Sequence, residues 1–300
     1  MRANRRKRMR FALRSPELSQ GRRAVAFIAG HPRARAGTWR RRSLLLWALV
    51  SAAALMDTAD ADTAYDADVP VADSAVAPAY TLTGNLALAT QYRYRGLMQT
   101  DGKPAIQGGF DFTHAGGFYL GNWNSNISWL SDGNPDVSAP VEMDFYGGYR
   151  GKLGNDLPFD LGALKYYYPG DYPSGYTSPD TTELYGSIGW GSTTFKYSYA
   201  VSNLFGFTNS KGSQYYDLSG NYDLGVWALT LNTHIGYQYA RNVDNGSYYD
   251  WRLGLTRDLG QSLAVSVAYI GTTADRGVYT NAQGRFIGRG TVAASLTKTF

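Results

Sequence analysis

The sequence predicts an all-β protein, an antiparallel up-and-down transmembrane β-barrel of about 12 strands over residues 81–300. Three observations predict it. Apolar and polar residues alternate with a period of two in blocks of about 10 residues, as in strands that separate two environments. The 300 residues include 24 Tyr, 12 Phe, 7 Trp and 35 Gly, and only 18% are charged. That is a strand-and-turn composition, poorer in charge than a soluble domain. The segments between blocks alternate long and short, as in a meander with one end free to grow and the other held tight.

Other classes are excluded early. There is no cysteine, hence no disulfide and no thiolate metal site. No run approaches the roughly 20 apolar residues of a membrane-spanning helix. The formal charge of +5 is unevenly spread: residues 1–61 hold 14 of the 29 basic and 3 of the 24 acidic residues, a balance of +11. The remaining 15 basic and 21 acidic residues leave the rest of the chain at −6, so the basic pI gives no reason to expect nucleic-acid binding.

Residues 1–61 read as an Arg-rich extension plus a signal peptide. Arg40, Arg41 and Arg42 precede an apolar run from Ser43 to Met56, and Ala59-Asp60-Ala61 places small residues at alternate positions, so export with cleavage near Ala61 is expected. Residues 62–80, rich in Ala, Asp, Val and Pro, read as a flexible linker.

The first block, Leu82–Tyr94, sets Leu82, Gly84, Leu86, Leu88, Thr90, Tyr92 and Tyr94 against Asn85, Gln91, Arg93 and, beyond it, Arg95. The turn-rich Gly96–Pro104 follows as the first long loop. Ile106, Phe110 and Phe112 then oppose Gln107, Asp111 and Thr113, and Ala115-Gly116-Gly117 makes a tight connection. In Phe118–Trp129, Tyr119, Trp123, Ile127 and Trp129 are expected on the apolar face and Asn122, Asn124 and Asn126 on the polar one.

Val141, Met143, Phe145 and Tyr149 oppose Glu142, Asp144 and Arg150. Phe159, Leu161 and Ala163 are in phase, after which Leu164–Tyr168 is apolar at nearly every position, as at a β-bulge or a fully covered strand end. Leu184, Ile188 and Trp190 oppose Glu183; Phe195, Tyr197 and Tyr199 oppose Lys196; Leu218 and Tyr222 oppose Asp217 and Asp223. Ile235, Tyr237 and Tyr239 oppose Asn232, His234 and Gln238, and Tyr249, Trp251 and Leu253 oppose Asp250 and Arg252. Leu263–Tyr269 and Val292–Phe300 complete the set.

The polar faces cannot form a dry core, because each unpaired buried polar group costs a few kcal/mol. The apolar faces end repeatedly in Tyr or Trp: Tyr92, Tyr94, Trp129, Tyr149, Trp190, Tyr199, Tyr237, Tyr239, Tyr249, Trp251 and Tyr269. Amphipathic rings at strand ends form the girdles of membrane barrels, so the apolar face is expected to meet lipid. The last strand ends on Phe300 behind Leu296, Ala294 and Val292, which points to the barrel-assembly machinery as a partner. Lys298 departs from the alternation, but its stem can lie along the wall.

The first hairpin carries a resemblance. Gln91–Leu97 (QYRYRGL), Gln99-Thr100-Asp101, Pro104–Asp111 (PAIQGGFD), Gly117–Trp123, the Tyr-Tyr-Tyr-Pro-Gly run at 166–170 and the ending Leu296–Phe300 resemble the TorF-type porin family, also described as Gcw_chp, bacterial proteins of unknown function. The resemblance covers roughly residues 80–300. It implies an outer-membrane barrel and brings no catalytic residue or substrate.

With the apolar face on lipid, the candidate pore-lining residues are Gln91, Arg93, Arg95, Asp111, Asn122, Asn124, Asn126, Glu142, Asp144, Arg150, Glu183, Lys196, Asp217, Asn232, His234, Asp250 and Arg252. Charges of both signs around a lumen tune the passage of ions or small polar solutes. The expected function is a passive porin without cofactor, metal or catalytic site. The alternative is a receptor, adhesin or structural barrel acting through its long loops, with a self-satisfied lumen network. An enzyme would need a nucleophile, a base and an orienter at one depth; His234 near Ser219 is weak support.

Overall fold

The two-residue period becomes a closed wall. The computed structural model describes residues 78–154 and 157–300. The Arg-rich extension, the export signal with its cleavage near Ala61, and the expected linker as far as residue 77 lie outside the described residues. Among the described residues the strands are β1 (Tyr80–Ala89), β2 (Arg93–Tyr94), β3 (Leu97–Met98), β4 (Ala105–His114), β5 (Phe118–Asn126), β6 (Val141–Leu153), β7 (Leu157–Tyr167) and β8 (Thr181–Trp190). They continue with β9 (Thr193–Ala200), β10 (Gln214–Asp223), β11 (Leu229–Tyr239), β12 (Tyr248–Asp258), β13 (Leu263–Thr272) and β14 (Thr291–Thr299).

Twelve of these close into one antiparallel barrel, in sequence order apart from the β2–β3 pair, which forms its own two-stranded sheet. Closure is made by β1, where Leu88 pairs with Ile106 of β4 on one side and with Leu296 of β14 on the other. A closed barrel leaves no strand edge unpaired. The expected rhythm of connections holds: one end of the barrel carries short turns, the other the long loops 90–104, 127–140, 168–180, 201–213, 240–247 and 273–290.

The outward face is apolar along most strands. Leu82, Leu86, Leu88, Ile106, Phe110, Leu120, Leu161, Leu184, Ile235, Leu253, Val267 and Val292 are all exposed. Aromatic rings sit outward toward both rims: Tyr80, Phe118, Trp190 and Tyr222 at the short-turn end, and Tyr167, Tyr239, Tyr249 and Trp251 at the long-loop end.

Four local expectations change. First, β1 ends at Ala89, and the chain then leaves the wall. Tyr92 and Tyr94 are 1% and 7% exposed, inside the barrel rather than on its outer face. The cause is a two-residue turn between β2 and β3, in which Arg95 (φ 44°) and Gly96 (φ 73°) are both left-handed. Positive φ at both central residues is the type I′ hairpin, whose twist matches paired strands.

Second, β5 is phased oppositely to expectation. Phe118 and Leu120 point outward while Tyr119 and Trp123 are buried inside. Asn122 pairs with outward Phe110 and Phe145, and Asn124 with outward Met143, so Asn122, Asn124 and Asn126 belong to the outer face and do not line the lumen. The short turn sets this parity: His114 and Phe118 flank Ala115-Gly116-Gly117, with Gly117 at φ 93° and its N–H bonded to the His114 carbonyl at 2.9 Å. That three-residue loop places His114 and Phe118 on the same face. The amides are satisfied in place: Asn122 Nδ2 donates to the Asp144 carbonyl, Asn124 Nδ2 to Asn122 Oδ1 and the Gly108 carbonyl, and Asn126 Oδ1 accepts from the Ile106 N–H.

Third, Trp129 is not a girdle residue. It opens a one-turn helix, α1 (Trp129–Gly133), and packs edge-on against Tyr168 with ring centroids 5.6 Å apart. Fourth, of the two alternatives for the doubly apolar end of β7, a bulge or a covered end, the bulge drops out: β7 pairs with β6 without interruption from Met143–Tyr167 to Leu153–Leu157. Its inward residues Leu164 and Tyr166 are covered by lumen contents, which explains the doubly apolar end.

The phase of β5 is directly testable, since the chain has no cysteine of its own. Nitroxides attached at Asn124→Cys and Leu120→Cys, in protein folded in detergent, should both relax strongly with oxygen dissolved in the micelle. Screening of position 124 alone would restore the opposite phase.

Candidate functional site

The lumen is organised by the hairpin that leaves β1. Its base is tied to the long loops: the Met98 N–H bonds to the Ile287 carbonyl (3.0 Å), and the Ser128 and Trp129 N–H groups both bond to the Gln99 carbonyl. Thr100 Oγ1 accepts from the Tyr92 N–H at 3.0 Å and donates to the Lys103 carbonyl at 2.7 Å, closing the loop on itself. From this base the hairpin crosses to the far wall. A Cβ added at Gly96 would fall 2.4 Å from Thr272 Cγ2 and 2.9 Å from Asp250 Cβ, so the tip abuts β12 and the end of β13.

Arg95, at the tip, is the anchor. Its guanidinium meets Glu183 of β8 through two bonds, 3.0 Å from Nη1 and 2.7 Å from Nη2, and Nη1 also donates to Gln238 of β11 at 2.8 Å. It lies over the Tyr215 ring of β10, 4.0 Å from the centroid. Both members of the ion pair are almost fully buried. The paired bonds use the planar fork that arginine, unlike lysine, presents to a carboxylate.

The rest of the hairpin sorts the lumen into two sides. Toward β5–β8, Tyr92 donates to Glu142 at 2.7 Å, Tyr94 and Tyr166 share a hydrogen bond of 2.5 Å, and Trp123, Tyr119, Tyr146 and Tyr185 complete an aromatic cluster. Arg150 bonds Asp160 at 3.0 Å and covers the Tyr119 ring, Tyr146 donates to Asp111 at 2.7 Å, and the Lys196 ammonium lies 4.4 Å from the Tyr185 ring centre. Asp144 is fully buried in the same half. Arg93 turns back, donating to Gln91, to the Gly96 carbonyl and to the Ile287 carbonyl, while Gln91 reaches Thr291.

Toward β10–β12, His234 sits between two carboxylates, with Nδ1 3.0 Å from Asp217 and Nε2 2.8 Å from Asp250. Tyr215 donates to both oxygens of Asp250. Asn232 links Asn221 to Thr256, and Arg252 is buried on the same wall. Ser219 lies 3.1 Å from His234 Nδ1, so a hydroxyl, an imidazole and carboxylates do converge. The serine, however, donates to Asp217 at 2.5 Å, and each ring nitrogen is matched to a carboxylate oxygen. Neither nitrogen is left to take a proton from the hydroxyl, as a nucleophilic site requires.

Of the sequence-derived candidates, all but Asn122, Asn124 and Asn126 therefore point into the barrel or lie on the inserted hairpin. Sequence reasoning missed the inward Tyr92 and Tyr94 of the hairpin, and Tyr166 and Tyr215 of the wall, which flank it on either side. Their signal was the Arg95-Gly96 pair, a two-residue turn hidden inside an apparently continuous strand.

A closed twelve-stranded barrel, apolar outside and charged inside, with its first long loop folded into the lumen, is the class these observations define. Residues 73–300 match the family described as bacterial protein of unknown function (Gcw_chp), and the chain belongs to that family. No curated protein is significantly similar in sequence. Among solved structures, the KdgM porin in complex with disordered oligogalacturonate is similar at 9% identity over 73% of this chain and 99% of that one, with a TM-score of 0.46. Acinetobacter baumannii OccAB1 is similar at 10% identity over 68% and 60% of the two chains, TM-score 0.38. A mutant of the Rh. blastica porin is similar at 15% identity over 70% and 59%, TM-score 0.33.

The anchor predicts a non-additive stability series. Arg95→Met and Glu183→Met should each cost about 3–5 kcal/mol in urea unfolding, because each strands a buried charge. The double variant Arg95→Met/Glu183→Met should cost less than the sum of the two. Additive costs would mean that the pair does not hold the hairpin. Gly96→Val, which forces the tip off Thr272, should destabilise the fold in the same assay even with the ion-pair residues intact.

Proposed function

We propose that the protein is an outer-membrane channel for passive diffusion of ions or small polar solutes, a porin of the TorF type, narrowed by the hairpin of residues 91–98. One observation carries this reading: the closed wall is apolar on its outer face and charged on its inner face. An apolar band between two aromatic girdles suits a bilayer, and a polar interior suits a hydrated path. Export through the signal in residues 40–61 and delivery to the barrel-assembly machinery through the strand ending at Phe300 belong to the same reading.

The inner faces of β13 and β14 are built largely from small side chains, Ala264, Ser266, Ala268, Ala293, Ser295 and Thr297. The opposite wall is filled by the aromatic cluster. A solute would pass beside the hairpin, near Arg93, Arg95 and the Glu183 carboxylate that Arg95 holds, and charges in a constriction select by sign. No covalent step is assigned.

The clamp of Arg95 onto Glu183 across the lumen favours a second reading, a plugged barrel acting through its long loops. Planar-bilayer recording separates the two. Folded protein should give discrete conductance steps, and Arg95→Ala should at least double the unit conductance and shift its ion preference toward cations. Silence from both proteins in bilayers that pass a control porin would reject the channel and leave the loop reading.

A further inference from the structure

A cleft of about 630 Å³ lies at the long-loop end of β9, β10 and β11, between the 201–213 and 240–247 loops. Tyr199, Lys211, Arg241 and the amides of Asn203, Asn209 and Asn242 line it. We propose that this cleft seats the phosphate of an outer-leaflet lipid headgroup. The site rests on the outer-membrane reading, in which the long loops face the outer leaflet, and not on any solute crossing the barrel.

Position comes first. Tyr199 shares the outward phase of β9 with Phe195 and Tyr197, and it pairs with Gln214 at the start of β10. A Cβ added at Gly212 would fall 2.9 Å from Arg241 Nη1 and 3.2 Å from the Tyr199 hydroxyl, so the guanidinium stands beside this outward ring and not in the lumen. Below the cleft runs a belt of tyrosines on the outer face, Tyr197, Tyr216, Tyr237 and Tyr249, with successive ring centroids 5.2, 6.3 and 4.6 Å apart. Such rings settle at the level of the lipid headgroups. A cleft on their loop side opens where headgroup phosphates lie.

Charge selects the group. No carboxylate lines the cleft. Among the described residues neither Lys211 nor Arg241 forms an ion pair. The two loops carry a single acid, Asp244, which lies outside the lining. Arg241 commits Nη1 to the Lys211 carbonyl at 3.1 Å, one of the five donors a guanidinium presents. A phosphate monoester carries about 1.5 to 2 negative charges at neutral pH and three strong acceptor oxygens. That matches two unpaired cations with a phenol hydroxyl and amides around them, whereas a carboxylate brings one charge and two oxygens.

The cleft is also built in advance. Asn242 Nδ2 donates to the Asn209 carbonyl at 2.8 Å and the Arg241 N–H to Ser213 Oγ at 3.0 Å, which ties the two loops together. Behind them Leu204 and Ala240 are buried with Phe205 and Val243 packed on them. Gly212, left-handed at φ 91°, leaves the space that the guanidinium occupies. An entering phosphate therefore has few loop torsions to order, the main entropic cost of a flexible site.

The test uses the full exported chain folded in dodecyl maltoside. Diphosphoryl lipid A is the probe, the same lipid stripped of its phosphates is the control, and inorganic phosphate is the competitor. Native mass spectrometry should show diphosphoryl lipid A retained on the chain and the stripped lipid lost. Lys211→Gln/Arg241→Gln should weaken retention roughly tenfold or more, the worth of one charge-assisted hydrogen bond. Lys103→Gln/Arg289→Gln, which removes the same charge from exposed positions on other long loops, should leave retention unchanged, with far-UV circular dichroism confirming that each variant is folded. Equal retention of the stripped lipid would make the contact one of acyl chains, and equal loss in both double variants would make it one of net charge. Displacement by an equimolar amount of inorganic phosphate would make it a site for the free anion. Each of these overturns the proposal. Failure of the folded chain to insert into phospholipid vesicles would instead overturn the membrane reading beneath it.

Discussion

The bidentate pair between Arg95 and Glu183 determines what the inside of this barrel looks like. Two ions taken out of water carry a desolvation cost of several kcal/mol each. Arg95 adds to it by adopting a left-handed backbone, a conformation that typically costs a side-chain-bearing residue 1–3 kcal/mol. Such an arrangement persists only when its surroundings over-determine it. Here they do: two charge-assisted bonds to Glu183, a third to Gln238, the Tyr215 ring beneath the guanidinium, and a glycine at the following position that lets the backbone touch the far wall. A lysine would supply the charge but not the fork.

From that anchor the asymmetry of the lumen follows. Once the tip is fixed, Tyr92 and Tyr94 must lie over β5–β8, and the inward residues there are the ones that can pack on rings: Trp123, Tyr146, Leu164 and Tyr166. The wall formed by β10–β12 instead meets the tip of the hairpin, through Gln238 and the Tyr215 ring against the guanidinium and Asp250 beside Gly96, and it carries its own network of carboxylates, histidine and amides around His234. The outer asparagines of β5 obey the same accounting. A polar group on the apolar face is tolerable when it finds partners without water, and each of the three amides donates to a backbone carbonyl beside it.

Most of this architecture is legible in the chain, and the failures have physical causes. β8 and β12 are unambiguous because Glu183, Asp250 and Arg252 alternate with Leu184, Trp251 and Leu253, residues that cannot exchange faces without burying a charge against lipid-like surroundings. The end of β1 misleads because a hairpin of two-residue strands has the same period as the strand it leaves. Alternation through Tyr92, Arg93 and Tyr94 continues after the chain has departed from the sheet, and only the turn chemistry of Arg95-Gly96 marks the departure. β5 misleads because both its faces carry aromatics, so hydrophobicity does not decide its parity. The three-residue turn before it does, since a one-residue slip flips every side chain. The ion pair itself, between residues 88 positions apart, leaves no local trace.

The two sides of the hairpin are coupled through the same residues. Tyr94 and Arg95 also line a half-open cavity of about 200 Å³ at the long-loop end, while Tyr94 holds Tyr166 and Arg95 holds Glu183 inside the lumen. An occupant of the cavity that fits only the seated hairpin must favour the narrow lumen. One that fits only after the tip lifts must favour the wide one, by no more than its differential affinity for the two states. Were the cavity occupied, a solute that loosens Arg95 from Glu183 and an occupant that requires the pair intact would oppose each other by one and the same coupling free energy. A loop that merely lined the rim would have no such link. It arises because the first loop of this barrel is both part of the lumen and the floor of its entrance.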